Sequence, residues 1–251
     1  MVDAAQPSGW EVLGATHTAP GPVQVDVRDA AAVDALVRRF GPAAIVHTAY
    51  LQDGPDAEAV TAGGSANVAR AAAAAGARLV HLSTDVVFAG RAGRPYTEAD
   101  RPDPCTAYGR AKALAEVEVA RACPAAAIVR PSLIVDGRGG SRHEQLALDV
   151  AAGRAQLGFF VDEIRCPVHV ADLAAALLEL AGLEHAGPLH VTGPTAVSRL
   201  ELARLVTGRD DLPSARSADL PQPRPLDCRL DCSLARALLR TRLRGVRELY
   251  Q

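Results

Sequence analysis

Lysine is almost absent from this chain: of 27 Lys and Arg residues only Lys112 is a lysine, which leaves 26 arginines. Aromatic residues make up 4% of the 251 residues and include one tryptophan. Methionine also occurs only once. The net charge is −2 and the arginines are scattered, so no electrostatic surface for DNA or RNA is predicted. Nucleic acid is therefore not an expected partner, and the position of the single lysine becomes informative.

The sequence also lacks a membrane segment, a signal peptide and clustered metal ligands. Its longest apolar run, 171–183, is interrupted by Asp172 and Glu179 and is too short to span a bilayer. The start, MVDAAQPSGW, has neither a basic flank nor an apolar stretch. Five cysteines without CxxC spacing predict reduced thiols rather than zinc ligands or disulfides. We expect a cytoplasmic protein with no membrane partner and no metal.

Short apolar segments alternate with helical patterns along the chain. Segments rich in Val, Ile and Leu are typical of parallel strands buried on both faces, and they occupy 11–17, 23–27, 43–50, 78–88, 126–135 and 188–193. Helices are predicted at 30–40, 57–76, 106–122, 142–153, 171–182, 198–208 and 232–241, and a Pro-rich loop at 210–227. This βαβ order predicts an α/β protein with a Rossmann-like, doubly wound parallel sheet.

A glycine-rich phosphate loop is missing from the start of this pattern. Doubly wound dinucleotide folds open with a strand and a glycine-rich turn, because phosphates bind bare N–H groups at a helix N-terminus. Here residues 2–14 are typical of the end of that first helix leading into a second strand. Losing the central first strand would leave backbone groups unpaired. We therefore expect the natural start to lie upstream; the alternative is a protein that has given up ordinary cofactor binding.

The single lysine lies four residues after Tyr108 in a predicted helix, so both side chains share one helix face. A nearby ammonium stabilises a phenolate and lowers the pKa of a tyrosine, which can then give a proton to a carbonyl oxygen. Lysine suits this position because its compact charge can also bond ribose hydroxyls. The competing interpretation is that Tyr108 packs at a helix start and Lys112 is a surface residue.

Four segments carry a resemblance to a known family. They are STDVVFAG (83–90), PYTEADRPDPCTAYGRAKALAE (95–116), IVRPSLIVDG (128–137) and DEIRCPVHVADLAAALLELA (162–181). In this order and spacing the chain resembles the dTDP-4-dehydrorhamnose reductase family of extended short-chain dehydrogenases/reductases, over essentially its whole length. The YxxxK element alone indicates only the superfamily, whereas the combination is much more specific.

The resemblance implies catalytic roles for three residues. Thr84 would polarise the substrate carbonyl, Tyr108 would donate the proton, and Lys112 would bind the cofactor ribose and tune the tyrosine. Ser83 is the competing hydroxyl, since the direction of a strand end cannot be fixed from sequence.

The resemblance also implies NADPH or NADH as cofactor and a nucleotide-sugar as substrate, in rhamnose biosynthesis. Beside Lys112, the expected cofactor contacts are Asp26, Thr48, Ala49, Tyr50, Ser83, Pro131 and Ser132. For Asp26, a turn or helix-cap role has equal weight. Arg165 is expected to face the substrate diphosphate, and a surface arginine is the alternative.

We expect a dinucleotide-binding core from 1–135 plus 169–192, and a smaller substrate-binding lobe from 136–168 plus 193–251. The expected function is NAD(P)H-dependent reduction of the keto group of a nucleotide-linked 4-keto-6-deoxy sugar. One alternative is a non-catalytic nucleotide-binding or regulatory relative with impaired cofactor binding. Another is a sugar-nucleotide epimerase or dehydratase that uses the same tyrosine. Whether the chain forms a homodimer stays open.

Overall fold

The computed structural model of the protein describes residues 9–251. Most of the segment interpreted as a helix end, residues 2–8, lies outside the described residues. The chain divides into two compact units. The first comprises the residues up to Ser83 together with Ala107–Val129 and Ala174–Leu189, and the second comprises Thr84–Thr106, Arg130–Leu173 and His190–Gln251. The predicted assignment of cofactor and substrate to separate domains stays a prediction.

Strands and helices alternate along the described residues. In chain order the strands are β1 (Ala15–Thr16), β2 (Val23–Gln24), β3 (Ala44–His47), β4 (Arg78–Leu82), β5 (Ala127–Arg130), β6 (Ile134–Val135), β7 (Phe159–Phe160), β8 (Ile164–Arg165), β9 (Val168–His169), β10 (Gly187–His190), β11 (Val197–Ser198) and β12 (Ser214–Ala215). The helices are α1 (Ala30–Phe40), α2 (Gly64–Ala75), α3 (Ala107–Ala122), α4 (Arg142–Ala151), α5 (Val170–Ala181), α6 (Arg199–Thr207), α7 (Ser233–Leu238) and α8 (Val246–Leu249). A π-helix, Ala59–Gly63, precedes α2.

A four-stranded sheet forms the centre of the first unit, in the spatial order β10-β5-β4-β3. Strands β3, β4 and β5 run parallel, with Ala44 opposite Arg78 and Val80 opposite Ala127. Val, Ile and Leu side chains of the sheet pack against α1, α2 and α3 in one core, which includes Val33, Val68, Leu79, Val119 and Ile128. The carboxyl ends of β3 and β4 meet at one edge of the sheet, where open α/β sheets bind ligands.

Helix α1 begins and ends as the sequence predicts. The Asp29 carboxylate accepts hydrogen bonds from Ala31 N and Ala32 N, both at 3.0 Å, and so satisfies two N–H groups that the helix leaves free. At the other end Gly41 adopts a left-handed φ of 59°, which glycine reaches without steric cost. Capping at both ends therefore fixes this helix over the predicted range 30–40.

Several predicted strand regions are longer than the strands observed. The segments 11–17 and 23–27 form only the two-residue strands β1 and β2, which pair with each other in parallel. The segment 78–88 is a regular strand only as far as Leu82; beyond it Val86 N donates to Thr84 Oγ1 at 3.4 Å, and a 3-10 helix, Asp85–Val87, begins. A side-chain acceptor at a strand end competes with further pairing.

The second unit contains three two-stranded sheets. Strands β6 and β9 pair in parallel, β7 and β12 pair in parallel, and β8 and β11 pair antiparallel. Helices α4 and α6 supply Ala147, Leu200 and Ala203 to a core that also contains Phe159 and Leu212. The predicted loop 210–227 therefore includes a short strand, β12. Within residues 9–251, every helix is too short or too polar to cross a bilayer.

Candidate active site

Helix α3 places the single lysine inside the first unit. Small residues at Gly109, Ala111 and Ala115 let this face of the helix approach its neighbours closely, and Lys112 is only 2% exposed. Its Nζ donates a hydrogen bond of 2.8 Å to the carbonyl oxygen of Leu82, the last residue of β4. The ammonium thus lies at the carboxyl end of a central parallel strand. The interpretation of Lys112 as a surface residue is wrong.

One tyrosine ring lies beside this ammonium, and a second tyrosine ring lies beside the first. The centroid of the Tyr50 ring is 5.1 Å from Lys112 Nζ, within the range of a cation–π interaction. The same ring is 5.6 Å from the centroid of Tyr108, with an angle of 50° between the ring planes. Tyr50 follows β3 and is half exposed, and Tyr108 is partly exposed. The structure therefore brings together three of the predicted site residues: Tyr50, Tyr108 and Lys112.

Burial sets the charge state of Lys112. Removal from water disfavours the ammonium and lowers the pKa of Lys112 from 10.5 to about 8, and the charge of Glu116 opposes this change. At neutral pH the side chain remains mainly protonated. It can therefore still act as a cation toward a phenol or a ribose hydroxyl.

Ser83 is hydrogen-bonded to Glu116, a residue that the sequence analysis did not identify as part of the site. Its hydroxyl donates a hydrogen bond of 2.5 Å to Glu116 Oε1, and both side chains are buried. Glu116 lies one helical turn beyond Lys112, as Lys112 lies one turn beyond Tyr108. Repetition of the four-residue spacing was the available signal for this residue.

Two buried histidines lie in the same unit. The rings of His47 and His81, neighbours on β3 and β4, stack with centroids 5.5 Å apart. His47 Nε2 is 3.1 Å from Ser65 Oγ, whereas His81 has no hydrogen-bond partner among the described residues. Burial and the nearby Lys112 lower the pKa of His47 to about 3 and that of His81 well below its usual range. Both rings are therefore neutral.

The predicted cofactor residues Thr48 and Ala49 are exposed and follow β3 directly. Asp26 lies after β2 and is held by Arg28, whose Nη2 donates to Asp26 Oδ2 at 2.7 Å. Hydrogen bonds from the Arg28 side chain and backbone lower the pKa of Asp26 to about 2. Asp26 thus accepts in a turn, and the helix-cap role that competed for it belongs to Asp29.

The remaining predicted residues lie in the second unit around a buried aspartate. Ser132 Oγ donates to Asp85 Oδ2 at 2.6 Å and accepts from Cys166 N at 3.1 Å. Thr84 Oγ1 lies 3.3 Å from Asp85 Oδ1. Burial raises the pKa of Asp85, while neighbouring cations and hydroxyls oppose that rise. Pro131 O accepts from Asp85 N, so the predicted residues Thr84, Pro131 and Ser132 all contact Asp85.

Arg165 is buried rather than on the surface, with a side chain only 4% exposed. Its guanidinium donates to the carbonyl oxygens of Ile164, Pro225 and Leu226 at 2.6–2.8 Å. Its Nε is 3.6 Å from Asp85 Oδ2. The surface alternative for Arg165 is therefore wrong. Its contacts in the structure hold the chain around Pro225, and contact with a substrate diphosphate stays a prediction.

Comparison with known proteins assigns the family. The family model of the RmlD substrate binding domain matches residues 1–250. The chain belongs to this family. A dTDP-4-dehydrorhamnose reductase of Mycobacterium tuberculosis is 38% identical to this RmlD family member over 218 residues, which cover 80% of this chain and 71% of the relative. Methionine adenosyltransferase 2 subunit beta of Rattus norvegicus is 30% identical, and the match covers 91% of this chain and 75% of that protein.

Solved structures agree with the fold. A hypothetical dTDP-4-dehydrorhamnose reductase from Sulfolobus tokodaii matches with a TM-score of 0.83 and 25% identity, covering 97% of this chain and 92% of that one. A dTDP-4-dehydrorhamnose reductase from Bacillus anthracis, in complex with NADP, matches with a TM-score of 0.80 and 24% identity over 90% and 84% of the two chains. For this RmlD family member, the predicted resemblance and doubly wound fold are confirmed. The oxidoreductase class is confirmed at the level of the family, and the nicotinamide cofactor stays a prediction.

Proposed function

We propose that this chain reduces the keto group of a nucleotide-linked 4-keto-6-deoxy sugar, of the dTDP-4-dehydrorhamnose type, with NADPH or NADH. The observation that carries the proposal is the buried ammonium of Lys112 at the end of β4, grouped with the rings of Tyr50 and Tyr108. A protein that only packed these residues would have no reason to keep its one lysine charged and out of water. A ketoreductase needs both a cation and a phenol at such a place.

Tyr108 is the proton donor in this proposal. The positive charge of Lys112 favours the phenolate, so Tyr108 gives up its hydroxyl proton more readily as negative charge develops on the substrate oxygen. In the role that the family resemblance implies for it, Thr84 polarises the substrate carbonyl. Ser83 is less suited to that role, because its hydroxyl donates a short hydrogen bond of 2.5 Å to Glu116, whereas the Thr84 hydroxyl donates to Asp85 over a longer 3.3 Å.

The residues around Lys112 fit a nicotinamide cofactor. Lysine Nζ carries hydrogens that bond ribose hydroxyls, and Thr48, Ala49 and half-exposed Tyr50 provide an accessible turn at the end of β3. When bound, the reduced nicotinamide supplies the hydride. Asp26, Ser83, Pro131 and Ser132 are proposed as further contacts on the cofactor side, and Arg165 on the substrate side. In the structure the Asp26 carboxylate accepts hydrogen bonds from Arg28, and the Arg165 guanidinium donates to backbone carbonyls. Both groups would have to exchange these partners to bind a ligand.

The proposal is tested by following NADPH and NADH oxidation with dTDP-4-keto-6-deoxy sugars. Tyr108→Phe is expected to lower kcat roughly 100-fold or more, because general acid catalysis contributes about that much. Tyr96→Phe is the matched control: it removes a hydroxyl that accepts from Arg91 N and has no proposed role in the reaction, and it should keep activity. An active Tyr108→Phe variant, or a wild-type protein that binds NADPH without turnover on these sugars, would contradict the proposal.

A non-catalytic, nucleotide-binding or regulatory role is the second candidate, and it is kept because a protein named as a subunit, methionine adenosyltransferase 2 subunit beta, is similar over 91% of the chain. Under this alternative, the protein binds nucleotide and Tyr108→Phe changes neither binding nor any turnover. The same assay therefore separates the two candidates. Interconversion of sugars without net NADPH consumption would instead indicate an epimerase or dehydratase.

A further inference from the structure

Glu116 is an acidic side chain in an environment that is unfavourable for one. It is 6% exposed and lies on the buried face of α3, between the small residue Ala115 and the core residue Val119. Burial of a carboxylate costs free energy unless charged or hydrogen-bonding partners compensate for the lost water. The partners of Glu116 therefore indicate why the side chain is there.

The first partner is Ser83. The O–H···O distance of 2.5 Å between Ser83 and Glu116 is in the range for a hydroxyl that donates to an ionised carboxylate. Ser83 directly follows β4, whose last residue, Leu82, accepts the hydrogen bond from Lys112. One carboxylate thus fixes the direction of a hydroxyl at the same strand end that binds the ammonium.

The second partner is Lys112, whose charge Glu116 favours. Among residues 9–251, the other groups shown to act on this ammonium carry no negative charge: they are the neutral imidazoles of His47 and His81 and the ring of Tyr50. The carbonyl of Leu82 contributes a dipole only. Glu116 is therefore the carboxylate that offsets the loss of hydration at Lys112.

We propose that Glu116 is a positioning residue that keeps Lys112 charged at neutral pH and holds the Ser83 hydroxyl away from the substrate carbonyl. The catalytic consequence rests on the proposed function, because it requires Lys112 to tune Tyr108. The electrostatic part stands on the structure of the first unit by itself.

The single lysine makes a direct test possible. Protein grown with lysine labelled with ¹³C at Cε gives one lysine signal, whose chemical shift follows the protonation of Lys112. Wild type is expected to titrate near pH 8. Glu116→Gln keeps an oxygen that accepts from Ser83 but removes the charge, so its midpoint should fall by about one unit or more. Glu118→Gln, on the same helix and paired with Arg121, should leave the midpoint unchanged.

A second variant keeps the proposal testable if Glu116→Gln fails to fold. Ser83→Ala removes one donor from the carboxylate and leaves its charge to act on Lys112, so the lysine midpoint should stay the same or rise. An unchanged midpoint in folded Glu116→Gln, or a fall in Ser83→Ala, would overturn the proposal.

The pH dependence of kcat/KM supplies the catalytic readout. With Glu116→Gln the loss of activity at high pH should begin at lower pH, by the same shift that the lysine signal shows. A shift of the signal without a shift of the pH profile would refute the link between Lys112 and the reaction. If wild type has no turnover, the proposed function fails while the lysine titration still decides the role of Glu116.

Discussion

The side chain of Glu144 offers a quantitative test of the second unit. It is fully buried, and its two oxygens accept five hydrogen bonds from one loop and from Tyr250. Oε1 accepts from Gly137 N at 2.8 Å, Gly139 N at 3.4 Å and Tyr250 Oη at 2.7 Å. Oε2 accepts from Asp136 N at 3.1 Å and Ser141 N at 3.0 Å. Glu144→Gln replaces one oxygen by an NH₂ group, so at least two donors lose their acceptor whichever way the amide points.

Two separate arguments give the expected loss in the free energy of unfolding for Glu144→Gln. Hydrogen bonds to a charged group contribute about 1.5–3 kcal/mol each, so losing two costs at least about 3 kcal/mol. Burial raises the pKa of Glu144, but the hydrogen bonds from Ser141, Asp136 and Tyr250 outweigh this and lower it from 4.5 to about 2. That difference of 4.5 − 2 = 2.5 units corresponds to about 3 kcal/mol of stability from the ionised form.

The sign of the pH dependence is fixed by this lowered pKa. The stabilisation is complete above pH 4.5, the unfolded value, and is lost as pH falls toward 2. The free energy of unfolding of wild type should therefore exceed that of Glu144→Gln by about 3 kcal/mol at pH 7. This gap should shrink by about 1 kcal/mol between pH 5 and pH 3.5.

Urea unfolding followed by circular dichroism measures this gap. The matched control is Glu58→Gln, at an exposed glutamate, which should change the free energy of unfolding by less than about 0.5 kcal/mol. A loss below about 1 kcal/mol for Glu144→Gln at pH 7, or a gap independent of pH, would refute the assignment of Glu144 as an ionised acceptor.

Two further predictions concern catalysis and backbone geometry. Because the Lys112 ammonium loses its proton with a pKa of about 8, kcat/KM should fall about tenfold for each pH unit above 8, and a plateau extending to pH 10 would contradict this. Gly90→Ala should destabilise the second unit by more than about 2 kcal/mol, because Gly90 has a φ of 75° and a Cβ there would lie 2.5 Å from Asp227 N. Gly93→Ala, with a φ of 68° and open space around it, should cost only about 1–2 kcal/mol in the same urea assay.

Sequence patterns predict the order of helices and strands well, but they predict the residues at which these elements end in some cases and not in others. The ends of α1 were readable because the Asp29 cap and the left-handed Gly41 are local. The early end of β4 was not, since hydrophobic Val86, Val87 and Phe88 continue the strand-like pattern after the chain has turned. The strand ends where the Thr84 hydroxyl accepts from Val86 N and the 3-10 helix Asp85–Val87 begins.

In the candidate site, too, local features were predictable from the sequence and long-range contacts were not. The spacing of Tyr108 and Lys112 needs only helix geometry, so the pair was predictable. The Ser83–Glu116 contact joins residues 33 positions apart, and the contact of Tyr50 with Lys112 joins a turn to a helix. Such pairings depend on how the sheet and α3 pack, which no local pattern encodes.

The isolation of Lys112 has a practical consequence. An amine-reactive reagent finds no other lysine side chain in this protein, and the one present is enclosed and bonded to Leu82. Its acylation, read from the mass of the peptide that contains it, therefore reports how often Lys112 Nζ leaves its hydrogen bond to Leu82 and becomes accessible. The rate of acylation at this one side chain thus measures how often the interior of the first unit becomes exposed to solvent.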